Sequence, residues 1–207
     1  MGFFEFIEKG GIVMYPIIFF SIISLTVFFE RIFAIREAKV IPSSFLRGLQ
    51  NLLSRKEYSQ AEVFAAENGS SFSRVALSAI KNRNRKREEI KEVMEELGRS
   101  EVSRLEKNTG IIGITATIAP LLGLLGTVTG MLEVFMDIAQ YDDPQINVLA
   151  RGIYEALITT AAGLPVGIIS YICYYYLLGR VERFAGAMEE QGIEALNLLK
   201  EADRESE

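Results

Sequence analysis

Residues 151–178 read RGIYEALITTAAGLPVGIISYICYYYLL. The run exceeds the roughly 20 apolar residues that a helix needs to cross a bilayer core. Inside it stand one carboxylate, Glu155, and two adjacent hydroxyls, Thr159 and Thr160. An acid near the centre of a span costs about 2.5–3.5 kcal/mol on insertion scales, and the default reading of such a residue is an ion or proton site. Other parts of the protein have to offset that cost.

Two further apolar runs, 12–29 and 111–135, are long enough to span. Hydrophobic residues make up 49% of the chain and charged ones 24%, so apolar and charged blocks are segregated. The fold expected is an all-α membrane protein with three transmembrane helices and long cytoplasmic helical extensions. Of the 22 Lys and Arg, 16 lie between Arg31 and Lys107, whereas 137–148 holds three Asp and no basic residue. The positive-inside rule then puts the N-terminus outside, the basic region inside, a short acidic hairpin outside and the C-terminus inside. The expected organisation is an outer interfacial helix (1–10), a first span (11–31), a cytoplasmic helical domain (32–108), a second span (109–136), a periplasmic hairpin (137–148), a third span (149–178) and a cytoplasmic helical tail (179–207).

Composition removes several classes of function. The single cysteine, Cys173, allows no disulfide framework, and there is no histidine. Zinc sites, Ser/His or Cys/His hydrolases and HExxH proteases are argued against. No metal, cofactor or catalytic residue is expected, and the protein is read as not an enzyme. The start of the chain lacks the basic region and small-residue site of a cleavable signal.

In MGFFEFIEKG (1–10), Phe3, Phe4 and Ile7 share a helical face, which suits a helix lying in the outer interface. The first span carries no charge before Glu30-Arg31 and is expected to anchor the chain and face lipid. Beyond it, Pro42-Ser43-Ser44 looks like a helix start with Ser as N-cap. A second short helix should end at Asn68-Gly69, and FSRVALSAIKNRN should form a third. The basic run KNRNRKR (81–87) lacks aromatic interleaving and is followed by acids. It reads as a solvated or lipid-headgroup-facing patch, and no nucleic-acid partner is expected. From Glu88, apolar residues at Ile90, Val93, Met94, Leu97, Val102 and Leu105 predict an amphipathic helix running unbroken into the second span, over 88–135. Val181, Phe184, Met188, Ile193, Leu196 and Leu199 predict a similar extension after the third.

The second span is rich in small residues, among them Gly123, Gly126 and Gly130, which allow close helix packing. A lone Thr in a span usually bonds back to its own helix, and that is the reading of Thr115, Thr117 and Thr129. Thr127 differs by depth. It lies about 12 Å from the end of its span at Phe135, while Glu155 and Thr160 lie about 9 and 16 Å in from Leu149. Antiparallel neighbours would place Thr127, Glu155, Thr159 and Thr160 in one polar layer, and all four are the candidate ion-pathway residues. Glu155 and Thr159 share a helical face, with Thr160 turned about 140° from Glu155. Pro165, flanked by Gly163 and Gly167, is expected to kink the third span below this layer.

APLLGLLGTVTGM (119–131) followed by GIYEALITTAAGL (152–164) resembles the MotA/TolQ/ExbB proton-channel family, most closely its ExbB/TolQ branch. The similarity covers the whole topology, and the two motifs together are fairly specific. The resemblance implies a bacterial inner-membrane homopentamer in which spans 2 and 3 line a central pore and span 1 faces lipid. It implies an ExbD/TolR-like single-span partner, a dimer seated in that pore, and a TonB/TolA-like energy-transducing protein beyond it. Ion flow would drive the partner, which does work at the cell envelope. By the same resemblance Thr127, Glu155 and Thr160 carry the ion path. Thr129 and Glu133 depart from the pattern, standing where relatives often have an aromatic and a His. Glu133 is either an extra carboxylate at the outer mouth or a solvated interfacial acid.

Competing readings are a non-conducting membrane scaffold, in which Glu155 pairs with Arg151 one turn earlier, and a secondary transporter, which three spans without an internal repeat suit poorly. A Na⁺-driven member of the same family is a further alternative, since adjacent hydroxyls and a carboxylate are oxygen ligands.

Overall fold

The architecture was taken from a computed structural model that describes residues 10–140 and 146–204. The expected interfacial helix over 1–10 and the middle of the 137–148 hairpin lie outside the described residues, apart from Gly10 and the hairpin's flanks. Among the described residues every regular element is a helix. In chain order they are α1 (Met14–Ala34), α2 (Glu37–Val40), α3 (Ser43–Ser54), α4 (Tyr58–Asn68), α5 (Ser71–Lys81), α6 (Arg87–Glu106), α7 (Thr109–Gln140) and α8 (Ile146–Arg204). Helices α1, α7 and α8 are long and apolar enough to cross a membrane. They carry the three apolar runs of the sequence, and α7 and α8 extend into both flanks of the predicted hairpin.

The chain divides into two units. One comprises the N-terminus to Glu30 with Asn108–Tyr176, and the other comprises Arg31–Lys107 with the chain from Leu177 onward. In the first unit α1 is tied to α8 by a buried hydrogen bond between the hydroxyls of Ser24 and Ser170, 2.9 Å apart. Phe28 lies against Tyr176 with ring centroids 6.4 Å apart. Large apolar side chains such as Phe19, Leu121, Leu132 and Ile172 are exposed, a pattern that suits lipid or protein rather than water as surroundings.

In the second unit α5 packs on α4 and α6, and α4 on α3. Gly69 closes α4 in the left-handed conformation, as the Asn68-Gly69 pair predicted. Ser70 then caps α5 by accepting the Ser73 amide at 3.1 Å. Phe45 stacks on Phe64 at 5.2 Å and meets Phe72 edge-on at 6.2 Å. Two expectations are corrected here. The N-cap of α3 is Pro42, without a side-chain cap, and Ser43 is already helical. The helix predicted over 88–135 is two helices, because Asn108 adopts φ +66° between α6 and α7. Asn is among the few residues that take this conformation readily, and the apolar periodicity running past it hid the stop signal. The helical extension predicted after the third span is present as the tail of α8, with Val181, Met188, Leu196 and Leu199 buried and Ile193 45% exposed.

Glu101 sits on the buried side of α6 with 4% of its surface exposed. The Arg74 guanidinium binds it in a fork, Nε donating to Oε1 at 2.7 Å and Nη2 to Oε2. Arg104 adds a bond at 3.1 Å. Burial pushes the Glu101 carboxyl up, but the bonds and charge of Arg74, with help from Ser71 and Arg104, outweigh it and hold it below the usual carboxylate range. A depressed carboxyl stabilises the fold above its ordinary value of 4.5 and loses that effect as pH falls through the lowered one. Glu101→Gln should therefore lower unfolding stability at pH 7 by about 2–3 kcal/mol. Chemical denaturation of the full chain in detergent should show the gap to the unsubstituted protein closing below pH 4.5.

Candidate functional site

Helices α7 and α8 approach closely because small residues face each other. A Cβ on Gly123 would lie 3.0 Å from the Thr159 carbonyl oxygen, and one on Gly130 would lie 3.0 Å from the Ala156 Cβ. Gly163 is tighter, at 2.5 Å from the Ala119 carbonyl oxygen. The space beside Gly126 is filled by the Thr159 side chain. Lower down, Gly167 faces the Pro120 ring. The glycines singled out in the sequence are thus the surface on which α8 rests within one chain. α8 continues as helix through Pro165, which is exposed.

Across this seam three hydroxyls gather. Thr127 and Thr160 are directly hydrogen-bonded to each other. The Gly123 carbonyl lies 2.9 Å from the Thr160 hydroxyl, 3.2 Å from that of Thr127 and 3.3 Å from that of Thr159. The Ala156 carbonyl lies 2.8 Å from Thr159 and 3.2 Å from Thr127. Each hydroxyl has one proton to give, so these contacts cannot all be made at once. In one pattern Thr127 donates to Thr160, which donates to Gly123. In the other Thr160 donates to Thr127, which donates to the Ala156 or Gly123 carbonyl. Both leave every hydroxyl proton bonded. The pair can therefore reverse its direction of donation without breaking the seam.

Thr159 differs from its neighbour. It is 2% exposed and wedged against Gly126, whereas Thr160 is only half-buried. Thr115, Thr117 and Thr129 each bond back to a carbonyl four residues earlier, as expected of lone span threonines.

Glu155 makes no hydrogen bond to these hydroxyls. Its side chain is half-buried, and its Oε1 occupies the place where a Cβ on Gly11 would sit. Among the described residues it makes no hydrogen bond and no ion pair. Arg151, one turn earlier, is exposed and not paired with it, and Glu133 is exposed on α7. Sequence reasoning missed both Gly11 and the carbonyls of Gly123 and Ala156. Backbone acceptors carry no signal in side-chain identity, and Gly11 lies far from Glu155 in sequence.

The model of the MotA/TolQ/ExbB proton channel family matches residues 65–190. The chain belongs to that family. The matched stretch holds the Thr127–Thr160 seam and Glu155; α1 and Gly11 lie outside it. An ExbB-like putative biopolymer transport protein of Synechocystis sp. is 32% identical over 178 residues, which are 82% of this chain and 68% of the relative. A putative biopolymer transport protein, an ExbB homolog of Methanothermobacter thermautotrophicus, is 30% identical over 179 residues, 86% of this chain and 63% of its own length. A Tol-Pal system protein TolQ of Haemophilus influenzae is 36% identical over 81 residues, 39% of this chain and 36% of the relative. Family membership and three apolar helices together make this a membrane protein.

Proposed function

We propose that this chain is the proton-conducting subunit of a motor in the bacterial inner membrane. It uses the proton motive force to drive a single-span partner that works at the cell envelope, in TonB-dependent-type import or Tol-type envelope maintenance. The observation that carries the reading is the Thr127–Thr160 hydroxyl pair, bound across α7 and α8 in the same helix as a span carboxylate. A carboxyl that takes and releases a proton, five residues along the same helix from a hydroxyl whose donation can reverse, supplies the two kinds of group a proton path needs. Each charge that crosses gains about 2.3 kcal/mol per 100 mV.

In this reading the working unit is a homopentamer with an ExbD/TolR-like dimer in its pore, the N-terminus periplasmic and the C-terminus cytoplasmic. Thr127, Glu155 and Thr160 form the path, and Thr159 holds α7 and α8 in register. The names of the relatives, biopolymer transport and Tol-Pal, suggest the direction of the work.

The test is proton uptake by liposomes that hold the protein with its co-purified partner. Uptake should follow an imposed potential and persist without Na⁺; dependence on Na⁺ would favour the sodium-driven alternative, whose support is the cluster of hydroxyl and carbonyl oxygens at the seam. Thr160→Val should slow uptake about tenfold, because one unmade, partly buried hydrogen bond raises a barrier by about 1.4 kcal/mol. Thr159→Val, which keeps the shape that fills the space at Gly126, should change uptake far less. Equal effects of the two would remove the special role given to Thr160.

A further inference from the structure

The turn that leads into α1 is built around Glu155. Gly11 adopts φ +62°, a conformation that side chains rarely accept. A Cβ there would also coincide with the Glu155 carboxylate. Two independent reasons, backbone and space, thus favour glycine at this one position. Its neighbour Gly10 is buried, and a Cβ on it would lie 2.5 Å from Met14 Cε and 3.2 Å from Ile158 Cγ2. Ile158 follows Glu155 by three residues on the same face of α8, and both Met14 and Ile158 are buried. The turn therefore grips α8 at two successive points, one of them the carboxylate. The Met14 amide, donating to the Gly11 carbonyl at 3.3 Å, ties the turn to the start of α1.

We infer that Gly11 is a positioning residue which parks the Glu155 carboxylate against the N-terminal turn, unbonded to the Thr127–Thr160 pair. The inference rests on the reading of Glu155 as the proton carrier. Shape rather than bonding holds the parked side chain, since Glu155 makes no hydrogen bond among the described residues. Turning about its own side-chain torsions releases it, so parking is a resting state that a small movement of the N-terminal turn can end. Conduction is thereby linked to the entry of α1, a helix otherwise remote from the path in sequence.

The experiment uses the full protein with its co-purified partner in liposomes. Gly11→Asn is the main variant, because Asn tolerates the left-handed backbone while its side chain displaces the carboxylate; Gly11→Ala is the second. Modification of Glu155 by a hydrophobic carbodiimide is read by mass spectrometry beside the passive proton leak. Both variants should speed modification and leak about fivefold, the population change that goes with a side-chain clash of ordinary size. Gly179→Ala, in the same helix as Glu155 but with open space around its Cβ position, should leave both at the unsubstituted rate. Assembled Gly11 variants with unchanged modification would overturn the inference. If neither variant assembles, solid-state NMR on the unsubstituted complex decides: a dipolar contact between the Glu155 carboxyl carbon and the Gly11 Cα supports parking, and its absence refutes it. The modification and NMR measurements stand even where Glu155→Gln still conducts, a result that sinks the proton-path reading alone.

Discussion

Glu155→Gln should reduce proton uptake by the reconstituted complex at least about 100-fold, the scale set by loss of a proton-transferring group. The amide matches the carboxyl in size and sits in the same half-buried place beside Gly11. Among the described residues the carboxylate has no bond to lose, so packing gives no reason for the protein to come apart. Only the ability to bind and release a proton disappears. On the proposed reading, the assembly should run unchanged on size exclusion, retain its co-purified partner and fail to energise it. A scaffold predicts the opposite: full function in the Gln variant. An uptake rate within a fewfold of the unsubstituted protein would end the proton-path reading, and measuring assembly in the same samples separates loss of chemistry from loss of fold.

Gly163→Ala should do the reverse, damaging structure first and conduction as a consequence. The new Cβ would lie 2.5 Å from the Ala119 carbonyl oxygen and 3.1 Å from the Gly123 Cα. Both are backbone atoms of α7, so no side chain can swing aside. The helices have to separate, which weakens the Thr127–Thr160 bond and the contacts of both hydroxyls to Gly123. Overpacking and one lost, partly buried hydrogen bond together should cost about 3 kcal/mol. Denaturation in detergent micelles measures it. Gly179→Ala in the same helix is the control, because open space surrounds its Cβ position. There the better helix propensity of Ala should stabilise by about 0.5–1 kcal/mol. Equal effects at the two positions would mean that the α7–α8 seam is looser than the glycine contacts imply.

The two predictions differ in how far the sequence alone could reach them. Glu155 announces itself, because a charged group in an apolar run is costly wherever the run ends up. Gly163 does not. It is one of a string of small residues, and only the approach of α7 shows that it meets a backbone oxygen while Gly179 meets open space. Thr159 and Thr160 make the same point. Depth along the helix put both in the layer with Glu155, and side-chain chemistry could not separate them. Packing does: Thr159 is consumed by Gly126, and Thr160 is left to bond Thr127. The Arg74–Glu101 pair was hidden for another reason. Glu101 falls on the apolar stripe of α6, where helical periodicity counts it as a flaw until its partner on α5 is known.

Three spans, the segregation of charge and the polar residues in the apolar runs follow from the sequence by itself, because hydrophobic length, charge placement and local propensity are properties of short segments. Family kinship was also legible, in the two motifs of spans 2 and 3. The tertiary structure decided what depends on neighbours distant in the chain. The helix stops at Asn108, where a single left-handed residue overrides apolar periodicity. The hydroxyls meet across the glycine seam, and the carboxylate, without a bond to them, lies against Gly11. A side chain has several rotamers of similar energy, and only the surface brought up against it selects one.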